Sequence, residues 1–181
     1  MTLTRSSPRR WGAAHLSIDN LTAGWMAPQS APGAYSWGTA NRAIYVPVRV
    51  SRVCVVKEMG PVFNTASAAN QFDIGLYDAA GTRLVSTGAR NVQDFGGSAV
   101  SGADVTDTTL QPGLYYIGLN HSSATGDQLL MYGLAAPIPV ALGVLTEALG
   151  SVTLPATATW TVDQTLAQVP VVAALIVTEL G

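Results

Sequence analysis

Short segments in which apolar and intervening residues alternate are the feature that most constrains the fold of this chain. Four aliphatic residues occupy alternate positions from 44 to 50 and therefore share one face of an extended chain. A period of two is that of a β-strand with one buried side. Because Pro47 has no N–H group to donate, we expect this strand to lie at a sheet edge or a bulge.

A β-hairpin is predicted for residues 71–85. Apolar residues alternate along its first half, and the turn residues Asp78-Ala79-Ala80-Gly81 precede the second half. Asp and Gly favour tight turns because Asp hydrogen-bonds its own backbone and Gly accepts a positive φ. The same alternation predicts that Asp73 faces solvent.

Two further segments complete the strand pattern. Residues 53–56 predict a fully covered strand. Residues 114–120 are apolar on both faces, as expected for an inner strand of a sandwich, and residues 128–134 are predicted to return as its partner. Strands at spacings of about 8 to 12 residues, separated by turn residues, favour an all-β fold, specifically an antiparallel, jelly-roll-like β-sandwich.

The pattern divides the chain into three parts. Residues 1–40 form an irregular N-terminal arm, residues 41–134 the β-sandwich core, and residues 135–181 an apolar C-terminal segment that completes the sandwich or forms an oligomer interface. Within that last segment, residues 141–149 predict one short helix.

Charge is scarce. Charged residues make up 11% of the 181-residue chain, against about 25% in an average soluble domain. A domain of this size hides only about 70% of its unfolded surface by itself. We therefore expect neighbouring subunits to cover part of its surface.

The net charge argues against nucleic acid as a partner. The chain carries a formal charge of −2, whereas nucleic-acid-binding domains normally show a basic excess. Seven of the nine basic residues lie in residues 1–57, and this segment could therefore contact an acidic partner surface. The alternative is a solvated surface on which the charges are unevenly distributed.

No membrane partner is expected. The most apolar stretch, residues 169–177, is nine residues long and contains Pro170, far short of the roughly 20 residues that span a bilayer. The arginines near the N-terminus are not followed by an apolar signal-peptide segment.

The chain has few residues of the types that usually carry out catalysis. His15 and His121 are the only histidines, and no zinc-protease, hydrolase or nucleotide-binding motif surrounds either of them. Residues 121–127 contain Ser, His and Asp, but those residue types also build ordinary loops. We therefore expect no enzymatic activity and no cofactor. Cys54, the only cysteine, alternates with valines and is expected to be buried and unreactive.

Several aspartates raise the question of a metal ion. Their spacing is not that of an EF-hand, and turn capping accounts for most of them, so no metal is expected; a structural calcium between loops is the alternative. These aspartates are Asp73, Asp78, Asp94, Asp104, Asp107 and Asp127.

Large apolar side chains in the two terminal segments are the candidate interface residues. Each buries a large area when it packs against a neighbour. Flat aromatic faces for sugar binding are the alternative use of Trp25, Tyr35, Trp37, Tyr45 and Tyr77. The candidate interface residues are Trp11, Trp25, Tyr35, Trp37, Trp160, Val169, Val171 and Leu175.

Four stretches resemble small β-sandwich structural proteins from the virions of tailed bacteriophages. They cover much of residues 41–172 and read NRAIYVPVRVSRVCVVKEMG, FDIGLYDAAGTRLVSTG, VTDTTLQPGLYYIGL and LPATATWTVDQTLAQVPVV. The resemblance implies a capsid decoration, minor capsid, head-fibre or tail protein. It further implies a homo-oligomer, with a trimer favoured, contacts with major capsid or tail proteins, and location in the virion after assembly in the host cytoplasm. It supplies no catalytic residues.

A second interpretation is a module that binds a receptor or glycan, as part of a phage fibre or an adhesin. Such a module would use polar loops at one end, for example residues 120–127 and 91–102. An enzyme acting on glycans is a third interpretation, for which the chain offers little machinery.

Overall fold

The computed structural model describes residues 33–50, 52–61, 63–65, 69–92, 102–133, 139, 143–170 and 172–177. Every named element is a β-strand, and every pairing is antiparallel. The strands are β1 (Gly33–Ser36), β2 (Arg42–Val50), β3 (Cys54–Pro61), β4 (Phe63–Thr65), β5 (Gln71–Asp78), β6 (Arg83–Ser86), β7 (Arg90–Asn91), β8 (Ala103–Leu110), β9 (Gly113–His121), β10 (Gln128–Gly133), β11 (Leu145–Ala148), β12 (Gln168–Pro170) and β13 (Val172–Val177).

The strands form three sheets around one main core. The large sheet has the order β11-β2-β9-β5-β6, with β7 also paired to β5. The two smaller sheets are β13-β3-β8 and β1-β10-β12, the latter with β4 paired to β10. Aliphatic residues of all three sheets meet in a single buried cluster, including Ile117, Met59 and Leu129. The all-β prediction is therefore confirmed, and the architecture is sandwich-like.

Strand β9 is the centre of the large sheet. It pairs with β2 on one side and β5 on the other. Its residues Ile117 and Leu119 enter the main core, and so do the four aliphatic residues at alternate positions of β2. The inner strand predicted at residues 114–120 and the buried face predicted for residues 44–50 are confirmed.

The partner predicted for this inner strand is wrong. Residues 128–133 form β10, which pairs with β1, β4 and β12 in a smaller sheet. Both edges of β9 are already occupied by β2 and β5, so the chain crosses to the other layer after β9. The helix predicted at residues 141–149 is also wrong, because residues 145–148 pair with β2 as β11.

Pro47 lies on the part of β2 that has no ladder partner on one side among the described residues. The pairing of β11 with β2 stops at Tyr45, and among the described residues only β9 pairs with the rest of β2. The Asn41 carbonyl accepts a hydrogen bond from Leu149 on the β11 side. Backbone groups alternate sides along a strand, so the missing N–H of Pro47 also falls on the β11 side, where the ladder has ended.

The hairpin predicted at residues 71–85 is confirmed. Strands β5 and β6 pair across a turn in which the Asp78 carboxylate accepts hydrogen bonds from the N–H groups of Ala80 and Thr82, both at 2.9 Å. Gly81 has φ of +89°, a value that strains any residue with a Cβ.

An irregular segment, residues 149–161, covers the outer face of the large sheet, the face turned away from the main core. We call it the cover segment. It helps to bury a second cluster that includes Tyr45, Tyr77 and Leu154. Asp73 lies on this outer face and is 0% exposed. The prediction that Asp73 faces solvent is wrong because the cover segment lies over it.

Both terminal segments contribute to the described sheets. Residues 33–36 form β1, and Trp37 belongs to the main core. The C-terminal segment supplies β11, the cover segment, β12 and β13. Residues 1–32 of the predicted arm lie outside the described residues.

Two paired glycines make room for the outer-face aromatic rings. Gly75 lies opposite Gly118 in the ladder between β5 and β9. A Cβ added at Gly118 would lie 2.7 Å from Tyr45 Cε1 and 3.1 Å from Tyr77 Cε2. Both rings are fully buried, so neither can move away without disturbing the cluster.

We expect Gly118→Ala to lower the free energy of unfolding by about 1–3 kcal/mol, as overpacking of a filled core does. Gly150→Ala is the matched control, because a Cβ there meets nothing within 4 Å. Urea unfolding followed by tryptophan fluorescence measures both. An equal loss in the two variants would contradict this account of Gly118.

Candidate functional site

Buried polar contacts between side chains hold the loop between β9 and β10, residues 122–127, in place. His121 Nε2 lies 2.9 Å from Asp127 Oδ2, and the two side chains are 1% and 0% exposed. The amide of Asn70 donates to the same Asp127 oxygen at 2.6 Å. We call these three side chains the loop brace.

The second ring nitrogen of His121 also has a partner. His121 Nδ1 lies 2.8 Å from the Ser123 carbonyl oxygen and 3.1 Å from the Ser123 nitrogen. The ring lies beside the buried Trp37, with centroids 6.2 Å apart. A general base needs a ring nitrogen within reach of a substrate proton. In this arrangement both nitrogens hold the loop, so the imidazole acts as a structural brace.

The tip of the loop is ordered by its own hydrogen bonds and remains in contact with solvent. Ser123 Oγ donates to the Thr125 carbonyl and accepts from the Thr125 N–H group. Gly126 adopts a φ of +101°. Thr125 and Gly126 are exposed. A preformed loop loses little conformational entropy when it contacts a partner.

The outer face of the large sheet holds a cluster of four aromatic rings. The centroid of Tyr45 lies 5.2 Å from that of Tyr77 and 5.5 Å from that of Trp160, both edge to face. Tyr116 lies 4.5 Å from Trp160. Trp160 and Tyr116 are half-buried, and Leu114, two positions before Tyr116 on β9, is 40% exposed. The cluster thus ends in a small apolar patch at the surface.

The buried tyrosine hydroxyls act as hydrogen-bond donors. Tyr45 donates to Glu147 Oε2 at 2.7 Å, and Tyr77 donates to the Pro155 carbonyl at 2.8 Å. Burial raises the pKa of both tyrosines far above the ordinary value, and the hydrogen bond to Glu147 raises that of Tyr45 further. Both hydroxyls therefore keep their protons at neutral pH.

Asp73 ties the cover segment to the hairpin. Its Oδ2 accepts the Leu154 N–H group at 2.9 Å, and its Oδ1 accepts the hydroxyls of Ser86 and Thr87 at 3.0 and 3.2 Å. Burial raises the pKa of Asp73 above its ordinary value, and these hydrogen bonds oppose that rise. The carboxyl group is therefore a structural acceptor.

The candidate interface residues occupy different environments. Trp37 and Val169 are buried in the main core, at 2% and 0% exposure. Tyr35 packs at the periphery of that core. Trp160 lies on the outer-face cluster, and Leu175 pairs with Glu58 in the β13–β3 ladder. The remaining three, Trp11, Trp25 and Val171, lie outside the described residues.

The other candidate residues have structural surroundings. Cys54 is buried, as expected, and burial raises the pKa of its thiol. Asp107 pairs with Lys57 at 2.8 Å on the surface, and Asp94 lies outside the described residues. Within the described part of the chain, no three His, Cys, Asp or Glu side chains are grouped so that they could hold a metal ion.

The burial of four polar residues was not predicted from the sequence: Thr87, Asn120, Thr146 and Glu147. Asn120 donates to the carbonyls of Ser151 and Val152 at 2.9 and 2.8 Å. Alternation along the strands places Asn120 on the same face as Gly118, but nothing local indicates that another segment covers that face.

No family model matches the chain, and searches of curated proteins and of solved structures found no match. Among the described residues, no helix has the length and apolar composition needed to cross a membrane.

The carboxyl groups of Asp73 and Asp163 have pKa values shifted in opposite directions, so we expect their contributions to folding stability to change with pH in opposite directions. Burial raises the pKa of Asp73 in the folded protein, so its contribution to stability is greatest below its unfolded pKa and falls as pH rises through the folded value. The hydrogen bond from the Thr165 hydroxyl, above all, lowers the pKa of Asp163. Its contribution is present above the unfolded pKa and is lost as pH falls through the folded value.

We therefore expect the difference in unfolding free energy between the unmodified protein and Asp73→Asn to shrink as pH rises from acid towards neutral. The difference from Asp163→Asn should grow over the same range. Urea unfolding at a series of pH values measures both differences. Slopes of the same sign would contradict the assignment.

Proposed function

We propose that this protein is a non-enzymatic structural component of a tailed-phage virion, a capsid decoration, minor capsid or tail protein. Its work is to make contacts between subunits. It assembles with copies of itself and with other virion proteins in the host cytoplasm, and it needs neither a cofactor nor nucleic acid. The finer fold we propose is a jelly-roll-like sandwich whose C-terminal strands also serve self-assembly.

One observation carries the proposal: the buried polar side chains of the described sheets are used to hold the scaffold together. Asp73, Asn120 and Glu147 fasten the cover segment, and His121 and Asp127 fasten the loop. A sandwich braced on both faces of its large sheet suits a rigid spacer between contact surfaces. The four stretches of residues 41–172 that resemble virion proteins support the same proposal.

Low charge is the second support. A virion subunit tolerates a weakly charged surface because neighbours cover it after assembly. The charged share of 11% and the exposed Val53, Leu114 and Val162, each more than a third exposed, are consistent with such coverage.

The number of copies per particle tests this proposal. We expect quantitative mass spectrometry of purified virions, followed by separated heads and tails, to find the chain at a fixed number of copies. Hundreds in the head fraction would identify a decoration protein, and a small multiple in the tail fraction a tail component. Absence of the chain from purified particles would refute the proposal.

A receptor- or glycan-binding module is the alternative, and the braced loop is the observation that favours it. The brace holds Thr125 and Gly126 at the surface in one conformation, as a recognition loop requires. Under this alternative, the purified protein binds saturably to cell envelopes of the host.

Thr125→Lys at the loop tip should then weaken binding to host envelopes by on the order of tenfold, the effect of losing one good interface contact. Thr106→Lys, at an exposed position of β8, is the control and should bind as the unmodified protein does. Absence of saturable binding by the unmodified protein would remove the alternative.

A further inference from the structure

The small sheet β13-β3-β8 has two edges of opposite character. Its β8 edge carries Asp104 and Asp107, and its side chains are largely exposed. Charged side chains on an edge strand oppose pairing with another chain. Its β13 edge has the sequence VAALIV, which contains no charged residue, no proline and no glycine. An edge strand of this composition is a template for strand addition.

Other edges of the described sheets are short or protected. The part of β2 that extends past β11 carries Pro47 and Arg49. Strand β12 ends in Pro170, and β6 begins with Arg83 and is four residues long. Strands β1, β4, β7 and β11 have four residues or fewer. Among the described strands, β13 is the longest sheet edge without charge or proline.

We propose that the β13 edge is a self-association site, at which β13 pairs antiparallel with β13 of a second copy of this chain. The pairing would join two three-stranded sheets into one six-stranded sheet across a twofold axis. An antiparallel pair of identical strands is isologous, because each residue makes the same contact in both copies. Main-chain hydrogen bonds supply the affinity, as in other cases of strand addition.

The composition of β13 selects a second copy as the occupant. The charged side chains of a charged partner strand would lose hydrating water when that strand paired with β13. They would find no opposite charge among the six residues of β13 to compensate. The chain itself supplies a strand of matching length and composition, VAALIV. Self-pairing brings no like charges together, because neither strand carries any.

The N-terminal residues are a poorer occupant. Residues 1–10 contain Pro8 and three arginines, residues 11–27 are interrupted by Gly12, Asp19 and Gly24, and Pro28 and Pro32 follow. Proline cannot donate to a ladder, glycine weakens a strand, and a charged side chain next to an apolar strand finds no counter-charge there.

This inference deepens the self-assembly part of the proposed function, but it does not depend on the presence of the chain in a particle. Solution mass and cross-linking test the pairing, whereas particle composition tests the virion role, so the two can fail separately. The pairing is twofold, and it therefore differs from the trimer that the sequence resemblance implies.

Cysteine cross-linking of the full chain tests the pairing. Single cysteines are placed at each position from 172 to 177 in a Cys54→Ser background, with Thr106→Cys and Thr109→Cys on β8 as exposed controls. A mild oxidant removes two electrons and two protons to join a cysteine to its counterpart. We expect on the order of tenfold more disulfide dimer at the position nearest the twofold axis than on β8, because only Cα atoms within about 7 Å are bridged.

Solution mass gives an independent readout. We expect sedimentation equilibrium to show a dimer that becomes a monomer in Ala173→Lys or Ala174→Lys. The two positions are chosen because neighbouring residues of a strand lie on opposite faces of the sheet. Circular dichroism shows which of the two variants keeps its fold. If neither variant folds, the cysteine cross-linking series decides the question.

Three results would overturn the proposal. The first is a monomer at every concentration. The second is an oligomer, a trimer included, whose β13 cysteines cross-link no better than those on β8. The third is transfer of a benzophenone label from the β13 cysteines to residues 1–32, which would assign this edge to the N-terminal residues.

Discussion

Hydrogen bonds between the outer face of the large sheet and the cover segment are the interactions on which the rest of the structure depends. The outer face carries two carboxyl groups, an amide and two phenols, each of which would be costly to bury without a partner. The cover segment has no regular ladder of its own, and its backbone groups meet these side chains. Leu154 N–H reaches Asp73, the carbonyls of Ser151 and Val152 reach Asn120, and the Pro155 carbonyl reaches Tyr77. Each side thus satisfies the other, and both can leave water.

This mutual satisfaction explains the two glycines of the central ladder. The rings of Tyr45 and Tyr77 pack edge to face beside β9, and their hydroxyls reach Glu147 and Pro155. Gly75 and Gly118, opposite one another, leave the space that the rings fill. Buried polar groups also satisfy one another in the loop brace at the end of β9. There, His121 Nδ1 contacts the Ser123 carbonyl and His121 Nε2 contacts the Asp127 carboxylate.

The distribution of protection along the sheet edges connects this scaffold to assembly. Pro47 and Arg49 lie on the edge that β11 leaves open, and aspartates lie on β8. Strand β13 carries no such residue. Charged residues and prolines on an edge strand weaken its pairing with any further strand, which is an advantage only where such pairing would be harmful. Its absence at one edge of a chain with few charges gives a physical reason to look for self-association there.

The residue pattern by itself determined β2, β5, β6 and β9 of the large sheet and the face that β2 turns to the main core. Alternation from 44 to 50, the hairpin pattern of residues 71–85 and the doubly apolar β9 are local properties, because side chains on a strand repeat every two residues. Pro47 likewise indicated an edge by its chemistry alone, although the edge is only the part of β2 past β11.

Only the tertiary structure decided which strands are neighbours and which outward-pointing residues are buried. Residues 128–133 join a smaller sheet because β9 already has two partners, and residues 145–148 become a strand because β2 offers an edge. Asp73, Asn120 and Glu147 are buried because a segment distant in sequence from Asp73 and Asn120 lies over them. Strand alternation reports which face a residue occupies, but what covers that face depends on contacts between residues as far apart as Asp73 and Leu154, which no local pattern contains.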